Sequence, residues 1–197
     1  MIAEFSKSDV GLLKSSFFSA KPFRHVLVKG LLQDHARIFS ALKSEEFIPK
    51  DADLFTFKQT RNLLYKPSKG LKPLVDYLCS SSFSEFVGSI TGIRLSQGSL
   101  DLSGALYEQS DYLLCHDDDL EGRKVAFIIY FSESFTRKDG GALALYSDKN
   151  GHPFKKEKAY IPLKNSMIVF EVSKKSWHEI EEVVSNRQRF TIGGWLH

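Results

Sequence analysis

A chain of 197 residues, 42% hydrophobic and 26% charged, is long enough for one domain with a substantial core and too apolar to be disordered. Its formal charge of +3 is mild, and Lys and Arg are scattered among acids instead of forming a stripe, so direct nucleic-acid binding is not expected. Two cysteines without CxxC spacing argue against a disulfide-stapled scaffold, while the absence of a leader-like N-terminus or a membrane-length apolar run sets the expectation of no membrane and of cytoplasm or nucleus.

Residues 1–98 read as a mixed lead-in. Residues 22–28 look extended, with Phe23, Val26 and Val28 apolar. Residues 31–42 predict a helix, because Leu32, His35, Ile38, Phe39 and Leu42 recur near helical spacing. An extended stretch at 53–58 precedes two short helices, 71–79 and 83–90, the second closed by Gly92. From Ser99 the texture changes to short β-rich runs: 99–108, 111–116, 124–131, 142–146, 157–161, 167–172, 177–183 and 189–196. Gly140-Gly141, Asn150-Gly151, Pro162 and Asn165 punctuate them. The expected architecture is one domain over 1–197, mainly β in an α+β arrangement. Its core, 99–197, is a double-stranded β-helix (jelly roll) with supporting N-terminal helices.

One constellation carries chemistry. His116 and Asp118 stand two residues apart at the end of the run 111–116, and on a strand or its rim that offset turns both side chains to one face. Asp117 and Asp119 point elsewhere and read as solvated or, for Asp119, as a turn former. His178 heads a distant β-like run and would bring a second imidazole. Two imidazoles and one carboxylate suit non-haem Fe(II), with positions left open for an organic acid and O2. A lone His-x-Asp recurs by chance, and His178 beside Trp177 reads by itself as a half-buried core residue. The polar turn after Asp118 and a basic residue on the last run give the pattern its weight. Cys115 would favour zinc but alternates away from His116. His25 and His35 in the lead-in, His152 beside Pro153 in a turn, and the terminal His197 have weaker claims.

An organic acid held inside a barrel needs a buried cation, and the arginine fork donates two parallel hydrogen bonds to a carboxylate. Arg187 and Arg189 share parity, so alternation does not separate them. Arg187 lies in the polar turn Ser185-Asn186-Arg187 and reads as solvated. Arg189 shares a face with Thr191, Gly193 and Trp195, a row with room for a ligand. Tyr130, on the face of Ala126 and Ile128, and Tyr107 on an earlier run could lend a hydroxyl, although core packing accounts for either equally well. Together these residues read as an iron- and 2-oxoglutarate-dependent oxygenase.

Longer motifs sharpen this. Leu113-Leu114-Cys115-His116-Asp117-Asp118-Asp119-Leu120-Glu121-Gly122-Arg123, then Ala126-Phe127-Ile128-Ile129-Tyr130, Gly140-Gly141, Phe170-Glu171-Val172-Ser173 and the terminal Arg189-Phe190-Thr191-Ile192-Gly193-Gly194-Trp195-Leu196-His197 resemble the catalytic domain of the ribosomal-protein prolyl hydroxylases. Pro22-Phe23-Arg24-His25 and Asp53-Leu54-Phe55-Thr56-Phe57-Lys58-Gln59 resemble that family's N-terminal pattern, so the likeness runs from near Lys21 to the end. Members of the family are eukaryotic 2-oxoglutarate oxygenases that 3-hydroxylate a proline of the small-subunit decoding-centre protein. The resemblance implies His116, Asp118 and His178 as Fe(II) ligands. It implies Arg189 and Tyr130 as 2-oxoglutarate contacts, while Tyr107 remains a softer candidate read from its β run alone. O2 would be the second cosubstrate, with ascorbate in support, and a proline-containing small-subunit ribosomal protein would be the partner. It also implies a second, non-catalytic jelly roll after this one, and the sequence ends at His197. Residues 49–62, polar and poor in helix signals, are expected to be a mobile loop walling the substrate groove. Two competing readings are a nucleic-acid demethylase, whose further arginine would stand where Trp195 stands, and a non-catalytic jelly-roll binding module, which a substituted ligand would betray.

Overall fold

The computed structural model describes residues 3–133 and 135–197. Eleven strands join one antiparallel sheet: β1 (His25–Lys29), β2 (Ile48–Ala52), β3 (Phe55–Gln59), β4 (Leu100–Tyr107), β5 (Tyr112–His116), β6 (Val125–Tyr130), β7 (Leu143–Lys149), β8 (His152–Tyr160), β9 (Ser166–Glu171), β10 (His178–Ile180) and β11 (Arg189–Leu196). Their order is β1-β9-β6-β11-β4-β3-β5-β10-β7-β8, with β2 hydrogen-bonded to β3. Strand β3 is the joint. It pairs β4 through Lys58 and Gln59, and β5 through Phe55 and Thr56. The sheet curls there, so the two arms, β1-β9-β6-β11-β4 and β5-β10-β7-β8, face one another across a cavity.

Four helices cover the outside of the longer arm: α1 (Lys7–Ser19), α2 (His35–Lys43), α3 (Lys72–Leu78) and α4 (Ser81–Thr91). Strand alternation decides what each side meets. Along β6, Phe127 and Ile129 (with Phe131 just beyond) pack against Leu31, Leu42, Leu78, Phe83 and Val87, whereas Ala126, Ile128 and Tyr130 turn the other way. Strand β11 repeats the division, with Phe190, Ile192 and Leu196 in the helix-side core and Arg189, Thr191, Gly193 and Trp195 on the cavity. Burying each large apolar side chain of this kind stabilises the fold by roughly 1.5–3 kcal/mol.

All eight runs expected after Ser99 are strands, and Gly92 closes α4 in the left-handed conformation. The lead-in differs in three places and the core in one. Helix α1 went unread because it buries little beyond Phe17, although Ser6 and Asp9 form a capping box at its start. Helix α2 begins at His35, not Leu31, because Asn165 holds the preceding residues in another geometry. Its carbonyl accepts from Gly30 and Leu31, and its side chain bonds the Leu32 backbone in both directions. The segment 49–62 is not a loop throughout, since most of it is the β2–β3 hairpin. Finally, His152 and Pro153 open β8 instead of lying in a turn. That strand is a sheet edge, where a proline's missing N–H costs nothing.

Candidate active site

His116 ends β5 and His178 begins β10, and the two are direct cross-strand partners. Opposed residues project to the same face, which brings the ring centroids to 4.2 Å. Asp118 is not on the strand. It lies two residues past His116 with φ 63°, a left-handed conformation that aspartate tolerates better than most residues. The shared face expected from strand spacing is thus supplied at the rim, by a backbone turn. Asp118 Oδ1 is 3.4 Å from His116 Nε2, and Oδ2 is 3.3 Å from His178 Nε2. One donor atom from each of the three residues fits within 4.8 Å.

Both imidazoles are oriented alike. His116 Nδ1 lies 2.8 Å from the Leu114 carbonyl and His178 Nδ1 lies 2.7 Å from that of Ser176. Donation from Nδ1–H leaves each Nε2 lone pair directed at the common point, the tautomer a metal requires. Buried Ser176 links the two halves of the site. Its Oγ lies 2.8 Å from the Asp117 carbonyl, joining the approach to His178 to the loop carrying Asp118. Burial raises the Asp118 pKa, but in the metal-free protein His116 and His178, when protonated on Nε2 as well, outweigh it and hold the carboxyl well below the ordinary range. Burial pulls His116 down, and its bond and charge interaction with Asp118 reverse that to a net rise. A cluster of two imidazoles and a permanent carboxylate is a donor set for a divalent transition metal.

The cavity beside the triad measures about 120 Å³ and is walled by Leu113, Ala126, Ile128, Phe170 and Ile180. Arg189 also lines it, although the side chain is 99% buried. Among the described residues no carboxylate pairs with it, and its Nε and one Nη lack any hydrogen-bond partner. A buried, unpaired guanidinium is costly, so this position suits an anionic ligand. Its cation lies 5.0 Å from the Tyr107 ring and 5.4 Å from that of Tyr130. Among the described residues the buried Tyr130 hydroxyl lacks a hydrogen bond of standard geometry, and burial pushes its pKa up to about 12 although the adjacent Arg189 opposes the rise. Tyr107 lines the cavity directly and stacks on Phe57 at 4.9 Å, and burial raises its pKa strongly. Gly141 (φ 66°) makes room for the arginine stem, since a Cβ there would sit 3.3 Å from Arg189 Cδ.

Arg187 turns outward to Asp139 Oδ1 at 3.1 Å, away from the cavity. Cys115 stands outside the ligand cluster, and burial pushes its thiol to about 11. His25 and His35 are buried in the lead-in, His152 is exposed, and His197 lies against Asp101. Sequence reasoning passed over three neighbours of the site. Arg123 stacks on Trp195 at 3.6 Å and reaches Asp118 Oδ1 at 3.7 Å, while Gln59 donates to Ser103 Oγ at the cavity wall. Arg123 belongs to the block that carries the family resemblance, so its position was visible and its contacts were not.

A curled jelly roll with a His-Asp-His cluster and an inward arginine has the parts a non-haem iron oxygenase needs, a donor set for the metal and a buried cation for an organic acid. Residues 102–197 match the 2OG-Fe(II) oxygenase superfamily model, and that superfamily uses Fe(II) as cofactor with 2-oxoglutarate and O2 as cosubstrates. It is 36% identical over 193 residues to prolyl 3-hydroxylase OGFOD1 of Xenopus laevis, covering 95% of this chain and 37% of that protein. It is likewise 36% identical over 164 residues to prolyl 3,4-dihydroxylase OGFOD1 of Ostreococcus tauri, covering 75% of this chain and 32% of the relative. The chain thus spans about a third of the length of the curated relatives it matches. The fold is that of a Trichoplax adhaerens prolyl hydroxylase solved with a hypoxia inducible factor peptide fragment. The TM-score is 0.74 at 16% identity, covering 96% of this chain and 90% of that one.

Proposed function

We propose that residues 1–197 act as one catalytic domain that hydroxylates a prolyl residue of a protein. Arg189 carries the proposal. It is a buried guanidinium with unmet donors, on the same cavity as a His-Asp-His cluster, and a dicarboxylate spanning from that cluster would satisfy it.

His116 and His178 would offer their Nε2 lone pairs to Fe(II), and Asp118 an anionic oxygen. Iron(II) with 2-oxoglutarate and O2 supplies oxidation of an aliphatic C–H bond, with succinate and carbon dioxide as coproducts. Arg189 and Tyr130 would hold the far carboxylate of 2-oxoglutarate, with Tyr107 and Phe57 as a flat aromatic wall. Leu113, Ile128, Phe170 and Ile180 keep water from the reacting centre.

The substrate proposed is an extended segment carrying the proline, presented at the cavity mouth. Proline has no N–H to leave unsatisfied there, and its fixed φ lowers the ordering cost. The β2–β3 hairpin would wall this groove, since Phe57 and Gln59 of β3 line the cavity. Exposed Asp119 and Glu121, with half-buried Asp117, favour basic flanking residues. A small-subunit ribosomal protein meets that description, with 3-hydroxylation as the outcome, ascorbate in support, and cytoplasm or nucleus as the setting. The demethylase reading is weaker, because Trp195 fills the place of its second arginine. The binding-module reading is weaker too, because all three ligand residues are present and converge.

Incubation with Fe(II), 2-oxoglutarate and prolyl peptides of ribosomal sequence, followed by mass spectrometry, tests the proposal. One added oxygen on the proline is expected. Equal turnover of Pro→Ala peptides would show that prolyl hydroxylation is the wrong reaction.

A further inference from the structure

Arg123 sets a permanent positive charge against the triad without being able to ligate a metal. Its Nη1 lies 3.7 Å from Asp118 Oδ1, its Nη2 lies 3.7 Å from Asp101 Oδ2, and its plane covers the Trp195 ring at 3.6 Å. Both carboxylate distances are ion-pair distances, too long for hydrogen bonds. Asp101 is shared with His197 Nε2 at 3.5 Å. The intervening turn fixes this placement. Arg123 N–H donates to the Leu120 carbonyl at 3.1 Å, and Gly122 has φ 86° where a Cβ would meet His197 Nδ1 at 2.9 Å. The Arg123 side chain is 16% exposed, so water screens it only in part.

Such a cation acts on a metal site in two opposed ways. Steadying the Asp118 carboxylate raises metal affinity, but ordering one short side chain is worth only about a few-fold. A fixed guanidinium beside a carboxylate that binds a dication lowers affinity by like-charge repulsion, worth about tenfold or more even with partial screening. Repulsion wins. We infer that Arg123 is a positioning residue that works through Asp118 to weaken the triad's hold on a divalent metal, keeping the site exchangeable. Trp195 is the platform that keeps the guanidinium in place. This rests on the metal reading of the triad.

Mn(II) dissociation constants, measured by calorimetry or by the EPR signal of free Mn(II), test the inference without turnover. Arg123→Met keeps a flexible apolar chain over Trp195 and removes the charge, so it should bind Mn(II) about tenfold more tightly. Arg123→Lys keeps the charge and should stay within about threefold of the unsubstituted protein. A purely structural role demands the opposite, with both substitutions weakening binding through the lost stack and fork. Asp101→Asn gives a separate reading if the methionine variant does not fold. It leaves Arg123 to Asp118 alone, and Mn(II) should bind about threefold more weakly. Unchanged or weaker binding in Arg123→Met overturns the inference, as does equal tightening in Arg123→Lys or unchanged binding in Asp101→Asn. If the unsubstituted protein binds no Mn(II), the metal reading itself falls and this inference with it. Binding that is insensitive to Arg123 would leave the metal reading intact.

Discussion

Two arginines two residues apart separate by environment alone. Arg187 is half exposed on Asp139, and Arg189 is buried without a counter-charge. A charge-assisted bond to a ligand carboxylate is worth about 1.5–3 kcal/mol, so Arg189→Ala should raise the 2-oxoglutarate requirement about tenfold to hundredfold. Arg187→Ala should leave it nearly unchanged. Steady-state kinetics on both variants decide the assignment, and equal effects would dismiss Arg189 as the cosubstrate clamp. At the triad, pH should act with opposite signs on two observables. The folded pKa of His116 is raised above 6.5 by Asp118, so the stability from that pair is full below the unfolded pKa and is lost as pH rises through the folded one. Metal binding needs the neutral imidazole and therefore weakens as pH falls through the same window. Thermal unfolding of the metal-free protein and Mn(II) titrations, both run across that window, should show these opposed trends.

At the scale of elements, strand β11 binds the site to the frame. It pairs β4 from Arg189 to Leu196 and β6 from Thr191 to Leu196, carrying Arg189 and Trp195 on its cavity face. Such close pairing requires the glycines. A Cβ on Gly194 would lie 1.8 Å from the Asp101 carbonyl oxygen, a contact that only backbone movement relieves. Gly194→Ala should cost about 1–3 kcal/mol or more in urea denaturation. Gly11, inside α1 with no neighbour within 4 Å, marks the contrast. Gly11→Ala should stabilise by about 0.5–1 kcal/mol, because it only lowers the entropy of the unfolded chain. If the two substitutions have similar effects, the space argument is wrong.

For the whole molecule, the cavity couples the two arms of the sheet, since His116 and His178 stand on one and Arg189 on the other. A metal and an organic acid held together should therefore stabilise the global fold, not a local patch. With Mn(II) and 2-oxoglutarate near a hundredfold above the dissociation constant, the gain should be about 2.7 kcal/mol. Chelation should reverse it, and Asp118→Ala should abolish it. A thermal shift that survives in Asp118→Ala would place the ligands somewhere other than the triad.

Much of this was written locally in the chain. Alternation in 124–131 and 189–196 separated helix-facing from cavity-facing residues, and the offset of His116 from Asp118 marked the candidate metal cluster. The first depends on the period of a strand and the second only on a short separation along the chain, and a stretch of sequence displays both. Other features waited on partners far away. Asn165 stops α2 from starting at Leu31, and β3 becomes the hinge of the sheet only because β4 and β5 accept its two ends. Asp118 joins His116 through a left-handed turn, not through the strand, and His178 meets them because β10 falls into register with β5. Nor does any local pattern show that Arg123 spans Asp101, Asp118 and Trp195. Sequence periodicity determines which side of an element a residue occupies. Distances between elements, and hence ion pairs and metal geometry, are decided only when the whole sheet closes, because Coulomb and hydrogen-bond energies depend on spatial separation and not on position along the chain.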